Sequence, residues 1–136
     1  MGKFHPLVVY FLVGLITFAY LSYTAYYTVF KRNMAFLFQY AFANHAISIF
    51  LSILAVITGF SQANDPYIQQ KTTLLYLLPH KLFGILLTVY TLVSFPIFWI
   101  KREDTQWRWG AVLGLVGLGL TVITLIFGWL LRLMFF

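Results

Sequence analysis

Polar residues gather at three short breaks in an otherwise oily chain, "KRN" at 31–33, "SQANDPYIQQKTT" at 61–73 and "KREDTQWR" at 101–108. The apolar runs between them cover residues 5–30, 34–60, 74–100 and 109–134. Each is longer than the ~20 residues a helix needs to cross a bilayer, so the pattern predicts four spanning helices. The breaks are too short to bury cores of their own, which makes residues 1–136 a single transmembrane domain. The opening run lacks the short apolar core and small-residue cleavage site of a secretory signal, and it is expected to remain as the first span.

Short connections make consecutive helices antiparallel neighbours. The expected fold is therefore all-α, an integral membrane four-helix up-down-up-down bundle with the first and third helices on a diagonal. Small and polar residues within the runs recur at spacings of three and four, marking inward faces. These are Gly110, Gly114, Gly117, Thr121, Thr124 and Gly128 on the fourth helix, and Ala41, His45, Ser48, Ser52, Ala55 and Gly59 on the second. The third helix carries His80, Gly84, Thr88, Thr91 and Phe95. Tyr20, Tyr23, Tyr26 and Tyr27, with Trp99, Trp107 and Trp109, crowd one end of the bundle, where interfacial anchors are expected.

Composition sharpens this picture. Of 136 residues, 62% are hydrophobic and 9% charged, against roughly 25% charged in a soluble domain. The net charge of +6 is scattered between the apolar runs and forms no stripe along which nucleic acid could lie. Lys31, Arg32, Lys101, Arg102 and Arg108 flank the first and third breaks; Lys3, Lys71, Lys81 and Arg132 lie at the other end. By the positive-inside rule, this small excess puts both termini outside the cytoplasm of a multi-pass protein of the cell membrane. No cysteine is present, which excludes disulfides, thiolate metal sites and cysteine-held clusters. Asp65, Glu103 and Asp104 all lie in breaks, so no span carries a carboxylate for proton relay or hydrolysis, and no enzymatic activity is expected.

Histidine remains as the candidate ligand. His5 precedes Pro6 and His80 follows Pro79, so both are expected near the start of a helix at the same membrane face. His45 lies fourteen residues before Gly59, which at 1.5 Å per residue puts it roughly 20 Å below that face. Two histidines at one level on diagonal helices are what a six-coordinate haem b requires. On this reading His5 and His80 are the iron ligands, Gly59, Gly84 and Gly128 leave room for the macrocycle, and Lys81 meets a propionate. The plainer alternative leaves His80 as an interfacial residue and Lys81 as a cation reaching the headgroups. For His45 the alternatives are a buried histidine bonded to a backbone carbonyl or to a hydroxyl such as Ser48, or the single axial ligand of a pigment or haem.

"HPLVVYFLVG", residues 5–14, resembles the opening His-Pro-Leu-Leu-Val-His-Phe-Pro-Ile-Gly pattern of a prokaryotic membrane family, the domain of unknown function numbered 2231. The likeness continues in "AVITGF" at 55–60, in His80 opening the third helix and in Gly128-Trp129 closing the fourth. Tyr10 stands where the pattern has its second histidine and Leu12 where it has proline, so carry-over is confined to His5 and His80. The resemblance implies a four-helix membrane domain, sometimes joined to cytochrome-like modules, and hence redox work.

Three functions are then expected in order. The first is an electron-transfer subunit of the four-helix cytochrome b type within a larger respiratory or photosynthetic membrane complex, exchanging electrons with a quinone or a redox protein. The second is a cofactor-free accessory subunit that contacts other membrane subunits. The third is a pigment-binding subunit ligated by His45.

Overall fold

The computed structural model describes residues 4–30, 35–63, 74–102 and 107–135, with side chains described over 6–28, 36–61, 79–102 and 107–130. The regular elements are α1 (Phe4–Ala25), continued by a π-helical segment (Tyr26–Phe30), α2 (Ala35–Ala63), α3 (Leu74–Ile100) and α4 (Arg108–Phe135). All four helices are long and apolar enough to cross a membrane, and the described residues contain no strand. Their packing closes a ring in which α1 touches α2 and α4, and α3 touches α2 and α4. The expected diagonal of α1 and α3 follows. Tyr20 meets Ser94 and Tyr27 meets the residue 101 carbonyl, so these two helices run parallel. Tyr23 against His45 and His80 against Thr124 make the neighbouring pairs antiparallel.

Each helix buries one narrow line of residues, the inward stripe that 3.6-residue periodicity allows. On α2 the line is Phe38, Ala41, His45, Ser48, Ser52, Ala55 and Thr58. On α4 it includes Gly110, Gly114, Gly117 and Thr121. On α3 it passes through Leu87, Thr91, Ser94 and Phe98, so the expected stripe is met at Thr91, whereas Phe95 beyond it is only half-buried. The outward faces expose Phe11, Phe18, Phe50, Ile57, Leu115 and Ile126, with Phe50 76% exposed. An apolar surface of that extent suits hydrocarbon as solvent.

The tyrosines of α1 depart from expectation. Tyr20 and Tyr23 are fully buried and Tyr26 and Tyr27 nearly so, where interfacial anchors were expected. Their rings cross the bundle from α1 toward α3, and the Tyr23 ring stacks on Phe98 with centroids 3.7 Å apart. Glycine on α4 makes the room: a Cβ at Gly117 would lie 2.6 Å from the Tyr20 ring, and one at Gly110 would overlap the Tyr27 ring. The glycine stripe thus forms sockets for tyrosines as well as a close helix contact. Trp99 and Trp109 do stand exposed at this end, in the manner of anchors.

The π-helical segment also reaches α3. Tyr26 and Tyr27, consecutive in this segment, are both buried, as are Ala19 and Tyr20 on α1, and both hydroxyls donate to the end of α3. Tyr26 bonds the Arg102 carbonyl and Tyr27 the Lys101 carbonyl, each at 2.8 Å. These carbonyls lie just past the last turn of α3, among the acceptors that a helix end leaves for groups outside the helix. A phenol from the diagonal helix therefore acts as a C-terminal cap.

Candidate functional site

Two histidine sites lie at different levels. The first surrounds His45, whose side chain is fully buried among α1, α2 and α3. Its Nε2 lies 2.8 Å from the Thr91 carbonyl oxygen, which only accepts, so Nε2 carries the proton. Nδ1 is then the acceptor, and the Tyr23 hydroxyl donates to it at 2.9 Å. Ser94 Oγ stands 3.4 Å from Nε2 and donates to the Thr91 carbonyl at 3.3 Å, while the Tyr20 hydroxyl lies 3.2 Å from Ser94 Oγ. Phe95 packs edge-on against the imidazole at 5.1 Å, and Tyr20, Tyr23 and Phe98 complete an aromatic cage.

The alternative of a buried histidine bonded to a carbonyl describes this geometry, with Tyr23 rather than Ser48 as the hydroxyl partner. Ser48 instead bonds the Asn44 carbonyl of its own helix, as serine in a spanning helix commonly does. Sequence reasoning missed Tyr23. The signal was present in the spacing of Tyr20, Tyr23 and Tyr27, which share one face of α1, but the aromatic-belt rule points such residues outward.

The second site is His80, eleven residues before Thr91 on α3 and hence roughly 16 Å from the level of His45. Pro79 and His80 lie in the second turn of α3 rather than its first, because the helix begins at Leu74. His80 is set into the bundle. Its Nδ1 donates to the Thr124 carbonyl of α4 at 3.0 Å, which assigns the lone pair to Nε2. A Cβ at Gly128 would come within 2.8 Å of His80 Cε1, so only glycine there lets the imidazole lie on the α4 backbone. A Cβ at Gly84, one turn further along α3, would lie 4.0 Å from Thr124 Cγ2, an ordinary van der Waals contact. Lys81 turns to α2, with Nζ over the Phe60 ring at 5.3 Å.

The His5 side chain lies outside the described residues, as do the side chains of Lys3, Lys71 and Arg132. The backbone at residue 5 belongs to α1. The register of the diagonal pair bears on it: Tyr20 with Ser94 and Tyr27 with Lys101 are both 74 residues apart, and Tyr26 with Arg102 is 76 apart. Residues 5 and 80 differ by 75, so the same register carried down the two parallel helices sets them level. Among the described residues no three His, Cys, Asp or Glu side chains converge on a metal position, and a bis-imidazole iron site needs only two.

A ring of four apolar spans with imidazoles seated inside it defines an integral membrane bundle whose polar chemistry is internal. The chain belongs to the DUF2231 family, described as "Predicted membrane protein", whose model matches residues 3–135. No curated protein and no solved structure matches the chain.

Proposed function

We propose that the protein is a membrane-embedded electron-transfer subunit of the four-helix cytochrome b type, in which His80 and His5 would hold haem b. The observation that carries this reading is the bond from His80 Nδ1 to the Thr124 carbonyl, 3.0 Å long. Ligating histidines characteristically donate their second N–H to a carbonyl, which fixes the tautomer, holds the ring and raises the basicity of the nitrogen facing the metal. The level register of residues 5 and 80 supports the second ligand, and the Gly128 cradle supports a fixed imidazole. Lys81, whose ammonium stands over Phe60 beside this site, is the cation for a propionate. Bound there, haem would supply a one-electron couple; the chain's own part is to orient two imidazoles and exclude water from them. The protein then carries electrons between a quinone or redox protein and other subunits of a respiratory or photosynthetic complex. It lies in a prokaryotic plasma membrane with both termini outside.

The second reading, a cofactor-free accessory subunit, is favoured by the His45 level, which Tyr20, Tyr23, Phe95 and Phe98 fill with side chains. Ligation by His45 in a pigment-binding subunit would require displacing Tyr23 from Nδ1, since Nε2 is held by Thr91. The reduced-minus-oxidised spectrum of the purified protein separates these readings. A sharp haem b band that vanishes in His80→Ala and survives in His45→Phe is the expected result. A folded, colourless wild type would overturn it in favour of the accessory reading.

A further inference from the structure

The phenols packed into this bundle, four buried and Tyr90 half-buried, differ in where they send their single proton. Tyr26, Tyr27 and Tyr90 donate to the carbonyls of Arg102, Lys101 and Leu113, and Tyr20 bonds Ser94. Oxygens of that kind hold a hydrogen bond but do not take up a proton near neutral pH. Tyr23 is bonded 2.9 Å from Nδ1 of His45, whose nitrogen lone pair can take the proton outright, as carbonyl and hydroxyl oxygens do not. Its neighbours matter equally. The Tyr23 ring stacks on Phe98 at 3.7 Å and 3°, Phe98 and Trp107 are 6.3 Å apart, and Tyr27 bridges Phe98 and Trp107 at 6.1 and 5.6 Å. Trp107 is only half-buried, at the end of the bundle where α4 begins. An unbroken series of aromatic rings thus links the membrane surface to the one of these phenols that faces a base.

We propose that Tyr23 and His45 form a redox-active pair, in which one-electron oxidation of Tyr23 is coupled to transfer of its proton to His45. Tyr23 gives one electron, through the ring series, to a strong one-electron oxidant of the high-valent or photo-oxidised metal class acting at the Trp107 end. The phenolic O–H bond breaks and an N–H bond forms at Nδ1. The products are a neutral tyrosyl radical, an imidazolium and the oxidant reduced by one electron. Return of an electron from a one-electron donor sends the proton back, so no proton crosses the membrane.

The surroundings favour this division of charge. The imidazolium keeps its Nε2–H on the Thr91 carbonyl at 2.8 Å, with Ser94 Oγ at 3.4 Å. Burial resists any new charge, but oxidation without proton transfer would leave the charge on the phenol itself, at the same depth and without those acceptors. The pair does not rest on the haem reading, because its residues lie at the other level of the bundle.

The experiment is photo-oxidation of the purified full-length protein by tris(bipyridine)ruthenium with persulfate as electron acceptor. Transient absorption and electron paramagnetic resonance follow the radical. The wild type is expected to give a long-lived tyrosyl radical whose formation slows in D2O. In Tyr23→Phe, which keeps the ring stack, that component is lost, leaving short-lived signals from exposed rings. In His45→Phe its formation slows roughly a hundredfold, the scale of a positioned proton acceptor. An undiminished long-lived radical in Tyr23→Phe, or equal rates in H2O and D2O, would overturn the proposal. Should His45→Phe fail to fold, the wild-type isotope effect and Tyr23→Phe still decide.

Discussion

At the scale of single residues, two imidazoles are each held by an element other than their own. His45 ties α2 to α1 through Tyr23 and to α3 through Thr91. Inter-helix hydrogen bonds inside membranes contribute about 0.6 kcal/mol each, with an upper end near 1.7, because the unfolded chain in the bilayer also finds partners. A double-mutant cycle of Tyr23→Phe and His45→Phe, read from unfolding in mixed micelles, is therefore expected to give a coupling energy in that range. His45→Leu should cost more, about 1–3 kcal/mol, because it leaves the Tyr23 hydroxyl in an apolar cage without its acceptor. At the other level, Gly128→Leu is expected to push the His80 ring off the Thr124 carbonyl. It should abolish any haem b band while leaving the protein in the membrane fraction.

At the scale of elements, α4 is specified by what it lacks. Gly110, Gly114 and Gly117 face side chains or backbone of the α1 segment at distances that no Cβ tolerates, whereas Gly119 has open space around it. Overpacking a filled site costs typically 1–3 kcal/mol. Gly117→Val should therefore destabilise by about that amount or more, since the Tyr20 ring is pinned by Ser94 and by its ring neighbours. Gly119→Ala, on the same helix two residues away, is expected to be neutral or to stabilise by up to about 1 kcal/mol through helix propensity. Thermal unfolding followed by circular dichroism compares the two directly. The π-helical segment after α1 belongs at this scale as well, because its two consecutive tyrosines both bond carbonyls at the end of α3.

At the scale of the whole molecule, apolar side chains face outward along all four helices while His45, Ser48, Ser52, Thr91 and Ser94 are buried. That inversion is stable only where lipid replaces water. The protein should resist extraction by high salt and alkaline carbonate and be released by detergent. Topology follows from the antiparallel neighbours: Ser61, at the end of α2, and Arg108, at the start of α4, lie on opposite sides. Because the chain contains no cysteine, Ser61→Cys and Trp109→Cys, the latter beside Arg108, report each side without background labelling and leave the orienting cations in place. With both termini outside, an impermeant maleimide added to intact cells is expected to label the first and spare the second.

Much of this architecture is legible without coordinates. Four runs long enough to cross a bilayer, short breaks and small residues at helical spacing dictate four spanning helices, their antiparallel order and an inward His45. These follow from bilayer thickness and helical pitch, which act on each segment alone. Tertiary structure decided the rest. A tyrosine near a helix end is amphipathic, so whether it points to headgroups or across the bundle depends on whether the facing helix offers a socket, and Gly110 and Gly117 offer one to Tyr27 and Tyr20. Which oxygen meets which imidazole nitrogen is likewise a matter of register between helices. Tyr23 reaches His45 and His80 reaches Thr124 because separate helices stop sliding where rings and glycines interlock, a condition no single segment carries.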